Sequence, residues 1–192
     1  MIDTENGHKK AWKRHCGRWS VCTDCDLHHR TSSHVLLRGH IPCDYLFIGE
    51  APGETEDILG YPFVGRSGKK LDDIITRVQK MLGDTTFVFS ATNTVACTPW
   101  AEKKESLQPP SAKQITACSD RLRDLLLFTK PKAVIYVGSV AEKAYKGTAM
   151  FADVTELSIV HPAYILRQRQ EQAEIHEKRS VLRIVNMVRD LQ

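Results

Sequence analysis

A short apolar strand running straight into a long glycine- and acid-rich loop is what most narrows the folds open to this chain. Asp44-Tyr-Leu-Phe-Ile48 reads as the strand, and residues 49–68 follow as Gly-Glu-Ala-Pro-Gly-Glu-Thr-Glu-Asp-Ile-Leu-Gly-Tyr-Pro-Phe-Val-Gly-Arg-Ser-Gly. An amphipathic helix comes next. In an open α/β sheet, ligands bind in the loops that leave the carboxyl ends of the strands. This loop holds five glycines, two prolines, three glutamates, one aspartate and two aromatic residues. Glycine and proline let backbone lie close to a flat ligand, and the acids and Phe63 supply recognition. A purely structural loop shares the turn residues but seldom carries this many carboxylates.

Helix and strand signals alternate after residue 43. Strands are predicted at Tyr45–Gly49, Thr86–Ala91, Ala133–Gly138 and Leu157–Val160, each short and mostly apolar, as buried parallel strands are. Ser67–Leu82 is predicted as a helix with Leu71, Ile74, Ile75, Val78 and Leu82 on one stripe and Gly83 at its end. Ser111 with Gln114 reads as a capping box. The helix it opens carries Ile115, Cys118, Leu122 and Leu125 on one face, and Pro131 stops it. A last helix is expected over Ala173–Leu191. Thr98–Pro110 reads as a polar, irregular loop. The expectation is one domain over residues 1–192. It is a three-layer αβα sandwich around a central, mainly parallel four-stranded sheet, and residues 1–43 form a helical, metal-binding extension.

The chain has 192 residues, enough for a real core, and a formal net charge of +4, which permits an anionic partner without demanding one. Through residue 40 there are seven Lys or Arg against four acids, and six of the eight histidines. That segment suits phosphates or is simply a solvated basic face. No apolar run approaches the roughly 18 residues of a membrane span, and Met1–Lys13 is too polar for a signal peptide. The expected setting is the cytosol or another reducing, DNA-containing compartment, without a membrane partner, and the expected state is a monomer.

Six cysteines in such a chain point to metal or core roles rather than disulfides. Cys22-Thr-Asp-Cys25 is a tight pair, and Cys97 and Cys118 come from separate elements. A structural zinc site usually uses two tight pairs. One tight pair with two distant ligands is compatible with an iron–sulfur cluster pinning the N-terminus to the sheet. His15 and Cys16 offer a different zinc set with Cys22 and Cys25. Cys43 reads as packing, and Cys118 also fits simple core.

The last strand ends in His161-Pro-Ala-Tyr-Ile-Leu-Arg167, which places a histidine where active-site loops gather. Asn93 stands beyond the second strand, and its amide can donate and accept together, as a base edge requires. Glu50 to Phe63, Asn93 and His161 therefore meet at one rim. No nucleophile is paired with a base, and neither a phosphate-binding nor a dinucleotide-binding glycine pattern is present.

These motifs resemble the uracil-DNA glycosylase superfamily, and within it the iron–sulfur family 4 branch. The resemblance runs from Cys22 over nearly the whole remaining chain. It rests on Gly49-Glu-Ala-Pro-Gly53 through Glu56-Asp57 to Pro62-Phe63-Val-Gly65, on Asn93-Thr-Val-Ala-Cys97-Thr-Pro99, and on His161-Pro-Ala-Tyr-Ile-Leu-Arg167. It implies a 4Fe-4S cofactor on Cys22, Cys25, Cys97 and Cys118, mainly structural. It implies DNA containing uracil, single- or double-stranded, as partner. Phe63 would stack on an extruded base, Asn93 read its edge, and His161 donate to the carbonyl oxygen that gains charge. Glu50 would lie in the water-activating region, and Ala51 where other branches carry an aspartate. Gly53 would line the base site and Glu56 crowd a thymine methyl. Ile165 or Leu166 would wedge into the duplex and Arg167 steady its backbone. With no lysine in the matched motifs, the resemblance implies a monofunctional enzyme.

The chain departs from that family between Cys97 and Cys118. Ala96 replaces a basic residue, Trp100 replaces a second proline, and Ala101-Glu-Lys-Lys-Glu-Ser-Leu-Gln108 follows. The basic, histidine-bearing insert of relatives that trap DNA covalently is absent. A DNA- or modified-base-binding relative with altered chemistry is the principal rival reading, and an iron–sulfur electron-transfer module a second.

Overall fold

Alternate side chains of two central strands feed two separate cores, and this sets the layering. The computed structural model describes residues 4–83, 87–103 and 105–192, with side chains from Trp12 onward. Helix α1 is Thr4–Trp19, strand β1 Arg38–Gly39, β2 Tyr45–Gly49, helix α2 Glu54–Leu59, α3 Arg66–Leu82 and β3 Phe89–Asn93. Then come α4 Ala112–Thr129, β4 Ala133–Val137, α5 Ser139–Tyr145, β5 Thr155–Ile159, α6 Pro162–Ile165 and α7 Gln170–Asp190. From β2, Tyr45 and Phe47 face one core with α3 and α7, while Leu46 and Ile48 face the other with α4 and α5. In β4, Ala133, Ile135 and Val137 join the first core, and Val134 and Tyr136 the second. The three-layer α/β expectation holds.

The sheet has five strands in the order β1-β3-β2-β4-β5, not the four expected. The addition is β1, two residues antiparallel to β3; the other pairings are parallel. Two residues are too few for any periodicity to reveal. What makes the strand is Gly39, at φ +117, where a side chain would sit 2.4 Å from the Phe89 carbonyl oxygen.

Strand β3 lies at Phe89–Asn93, displaced towards the carboxyl side of the predicted Thr86–Ala91; Thr86 itself lies outside the described residues. The displacement has a chemical cause. Thr92 and Asn93 are polar yet buried, so they do not read as strand interior, whereas Ser90, equally buried, lies within the predicted strand. Ser90 Oγ donates to the His40 carbonyl at 2.5 Å and Thr92 Oγ1 to the Leu36 carbonyl at 2.7 Å. The edge segment before β2 thus satisfies the hydroxyls that would otherwise oppose burial.

Helix α3 buries Leu71, Ile74, Ile75 and Val78 and ends on Gly83 at φ +62. Each such apolar burial stabilises by roughly 1.5–3 kcal/mol. Ser111 caps α4, its hydroxyl accepting from Gln114 N while the Gln114 side chain returns to Ser111 N. The last helix starts at Gln170, three residues before its predicted start. Helix α1 packs on α4 through Trp12, His15 and Phe128, and through Trp19, whose indole nitrogen donates to Asp124 at 3.1 Å.

Candidate active site

Chain order β2, β3, β4 places β3 on one side of β2 and β4 on the other, so the loops leaving β2 and its neighbours diverge at the carboxyl rim. Gly49 and Asn93 are the final paired residues of β2 and β3. Beyond β5, His161 caps α6. A cavity of about 310 Å³ opens between them, lined by Ala51, Gly53, Glu56, Phe63, Asn93 and His161, with Arg66 and Ser67 at its edge. Ligand sites for small molecules begin near about 300 Å³.

The loop from Glu50 to Phe63 is held by two carboxylates. Glu56 accepts from Val64 N at 3.0 Å and Gly65 N at 2.7 Å with one oxygen, and from Gly53 N at 3.1 Å with the other. It lines the cavity, but its charge is committed to backbone amides. Asp57 is buried and accepts from Thr31 Oγ1 at 2.7 Å, Ser32 N at 2.8 Å and Trp100 Nε1 at 3.1 Å. Burial works to raise its pKa, yet the hydrogen bonds from Thr31, Trp100 and Ser32 outweigh it and hold the carboxyl below its ordinary range.

Phe63 adopts φ +56 and is 6 % exposed. Glycine at two positions makes this possible. A side chain at Gly68 would fall 1.9 Å from the Phe63 carbonyl oxygen, and one at Gly49 would fall 2.5 Å from both Phe63 Cζ and Asn93 Oδ1. The ring therefore stands against the strand end, beside the asparagine.

Arg121 Nη2 donates to the Asn93 backbone carbonyl at 2.5 Å. The Asn93 side-chain amide has no hydrogen-bond partner among the described residues and faces the cavity. His161 Nδ1 accepts from Ala163 N at 3.1 Å. That bond puts the proton of the neutral ring on Nε2. Burial, then the Arg167 guanidinium, push His161 below its usual 6.5, so the neutral donor is the resting form. Glu50 is half-buried, and burial pushes its carboxyl up. It stands beside the cavity without lining it.

The end of the His161 motif corrects one expectation. Ile165 is 1 % exposed and packs in the α3–α7 core, so it is not presented to a duplex. Leu166 and Tyr164 are exposed, at 39 % and 42 %, and Arg167 is exposed beside them. Tyr164 was hidden in the sequence by its apolar neighbours.

Behind Ala51 and Val95 lies a second cavity, lined by Cys22, Cys25, Cys97 and Cys118 with Leu27, Val95 and Arg121. All four thiols of the sequence expectation meet there. Burial pushes Cys22, Cys25 and Cys97 up, most strongly Cys97, to which the other three thiols add. The His15–Cys16 alternative is not assembled: His15 stacks on Trp12 at 5.1 Å, and Cys16 does not line this cavity. Cys43 is buried core. Among the described residues, no three ligating side chains converge closely enough to hold a single metal ion.

Arg121 is the neighbour of the site that sequence reasoning missed; Asp57 stood in a quoted motif and Trp100 in the divergent loop, but their bond to each other was not foreseen. Arg121 interrupts the apolar arc of α4 between Cys118 and Leu122, and that interruption was its only signal. Trp100 pairs with Leu107 across a bridge, and its indole ties that start of the divergent loop to Asp57.

A partly apolar cavity with an unpartnered amide and a neutral imidazole donor suits a planar, hydrogen-bonding ring at the rim of an α/β sheet. The family described as the uracil DNA glycosylase superfamily matches residues 38–187, and the chain belongs to it. A type-4 uracil-DNA glycosylase of Pyrobaculum aerophilum is 28% identical over 166 residues, 77% of this chain and 80% of that protein. One from Archaeoglobus fulgidus is 27% identical over 172 residues, 80% of this chain and 82% of its own. Pedobacter heparinus SMUG2 shares the fold, with a TM-score of 0.57 at 14% identity over 77% of each chain.

Proposed function

We propose that this protein is a uracil-DNA glycosylase that hydrolyses the N-glycosidic bond of uracil in DNA and leaves an abasic site. The observation that carries the reading is the convergence of Phe63, the unpartnered Asn93 amide and His161 on one cavity. The two type-4 relatives support it. Hydrolysis needs the base outside the stack, at a cost of a few kcal/mol. Stacking on Phe63 offsets about 1–3 kcal/mol of that. Asn93 both donates to and accepts from the base edge, which selects a ring with uracil's alternating pattern.

As the bond to the sugar breaks, the leaving base gains negative charge and the sugar positive charge. His161 Nε2–H donates to the base oxygen where the charge gathers, a contact worth roughly 10²–10³ in rate. Water attacks the sugar carbon. Glu50, half-buried with its carboxyl pushed up, orients that water from beside the cavity. No lysine lines the cavity among the described residues, so the enzyme is monofunctional. Leu166 wedges into the duplex, with Tyr164 and Arg167 beside it on the strand backbone.

The four-cysteine cavity fits a 4Fe-4S cluster better than zinc. A single zinc needs its donors about 2.3 Å from one point, whereas a cluster bound through one cysteine per iron accepts a wider set. The buried Arg121 beside the thiols also calls for negative charge. When bound, the cluster supplies crosslinking of the N-terminal segment to the sheet, with Cys22, Cys25, Cys97 and Cys118 as its holders.

The test is a labelled duplex with one uracil, incubated with the protein and then treated with alkali. Strand scission only after alkali is expected. Intact strand with uracil, but scission with another modified base, would favour the altered-specificity reading that the Trp100 arm motivates.

A further inference from the structure

Arg121 is 1 % exposed, on the face of α4 that meets the sheet. Its Nε donates to Cys118 Sγ at 3.3 Å, its Nη1 to Thr92 Oγ1 at 3.0 Å, and its Nη2 to the Asn93 carbonyl at 2.5 Å. Among the described residues no carboxylate lies within ion-pair distance of it. A buried cation without an anion is strongly disfavoured. Besides the Tyr145 phenol, the groups around it that can become anionic are the four thiols, and they do so on binding metal.

We infer that Arg121 is a positioning residue that couples the four-cysteine cavity to the base-reading amide of Asn93. This rests on the base-site reading above. One planar guanidinium grips a cysteine sulfur at one edge and the last carbonyl of β3 at the other. Holding that carbonyl fixes the peptide plane, and with it the direction in which the Asn93 amide leaves the strand. With Cys118 as a bound thiolate, the Nε–H bond is charge-assisted and the guanidinium is compensated. A lysine carries the charge but cannot span both acceptors in one plane.

The experiment compares the iron-loaded wild type with Arg121→Met and Arg121→Lys. It measures iron per chain, the reduction potential of the bound cluster, and affinity for free uracil by titration. Arg121→Met is expected to lower the potential, because a positive charge beside the cluster is removed. It should also weaken uracil binding roughly tenfold, the scale of a lost hydrogen bond to a charged group. Arg121→Lys should hold the potential near wild type and still lose uracil affinity. If Arg121→Met does not fold, the lysine variant carries the test.

Variants that retain iron with wild-type potential and uracil affinity overturn the coupling, as does a wild type purified without iron. A change in melting temperature alone also overturns it, because a space-filling role predicts just that. A wild type with iron that neither binds uracil nor cleaves uracil-containing DNA sinks the base-site reading. The potential then still decides whether Arg121 senses the cysteine cavity.

Discussion

Gly49 and Asn93 are paired at the last register position of β2 and β3, and a Cβ on residue 49 would lie 2.5 Å from Asn93 Oδ1. The same Cβ would lie 2.5 Å from Phe63 Cζ. One hydrogen atom at position 49 is thus what lets an aromatic ring and an amide share the mouth of a strand. Gly49→Ala is expected to displace one of the two. The cost of such overpacking is about 1–3 kcal/mol. Melting temperature and single-turnover uracil release should fall together, with release falling more; unchanged release would show that the two groups do not act as a pair.

In the proposed mechanism His161 donates as a neutral ring. Burial and Arg167 lower its pKa from 6.5, so the neutral form persists as pH falls through 6.5 and is lost only below the depressed value. Single-turnover rate should therefore stay level across pH 6.5 and decline on further acidification. His161→Ala should lower that rate by roughly 10²–10³ with little change in DNA affinity, and should remove the acid limb. Equal losses in rate and affinity would mean that His161 binds DNA instead.

Asp57 joins three segments through Thr31, Ser32 and Trp100. Its folded pKa is depressed, so its contribution is present above the unfolded value of 3.8 and is lost as pH falls through the folded one. Trp100→Phe deletes one bond and should cost about 0.5–1.5 kcal/mol. Asp57→Ala strands several donors and should cost more, since each unsatisfied buried group costs about 1–3 kcal/mol. Denaturant melts of both variants measure the ordering, and a Trp100→Phe variant as stable as wild type would place Trp100 outside the junction.

The parts legible in the sequence were those written in periodicity and turn chemistry. β2, the stripe of α3 and the Ser111–Gln114 cap needed only local rules. So did the rim that gathers Phe63, Asn93 and His161, because the carboxyl end of a parallel strand is a topological consequence of the alternation. The missed parts depend on partners remote in sequence. Thr92 looks unlike strand interior until the Leu36 carbonyl accepts its hydroxyl. Ile165 and Leu166 are equal in hydrophobicity, and only the turn of α6 decides that one enters the core. Arg121 has no signal beyond breaking the apolar arc of α4, because nothing nearby in sequence shows that Thr92, Asn93 and Cys118 surround it.

Cys118 is one of four thiols on the second cavity. A serine there offers a hard hydroxyl in place of a soft thiolate. Cys118→Ser is expected to lose iron and visible absorbance and to melt earlier than wild type. Iron content by mass spectrometry checks it. Full iron with wild-type absorbance in the variant would remove Cys118 from the ligand set.

His15 provides a test of the extension that is independent of any cofactor. Its ring stacks on Trp12 and meets Phe128 edge-on, and neither ring nitrogen has a hydrogen-bond partner among the described residues. Burial, then Arg121, lower its pKa from 6.5 to about 4. The folded form therefore binds fewer protons than the unfolded one between those values, and stability should fall as pH drops through that window. His15→Phe keeps the aromatic packing and removes the titration. The variant should match or exceed wild-type stability at neutral pH, where an unpaired polar ring no longer has to be buried, and its stability should change less between pH 6.5 and 4. Urea melts at three pH values measure this. A variant with the wild-type slope would show that the α1–α4 junction opens before global unfolding, so that His15 titrates in water.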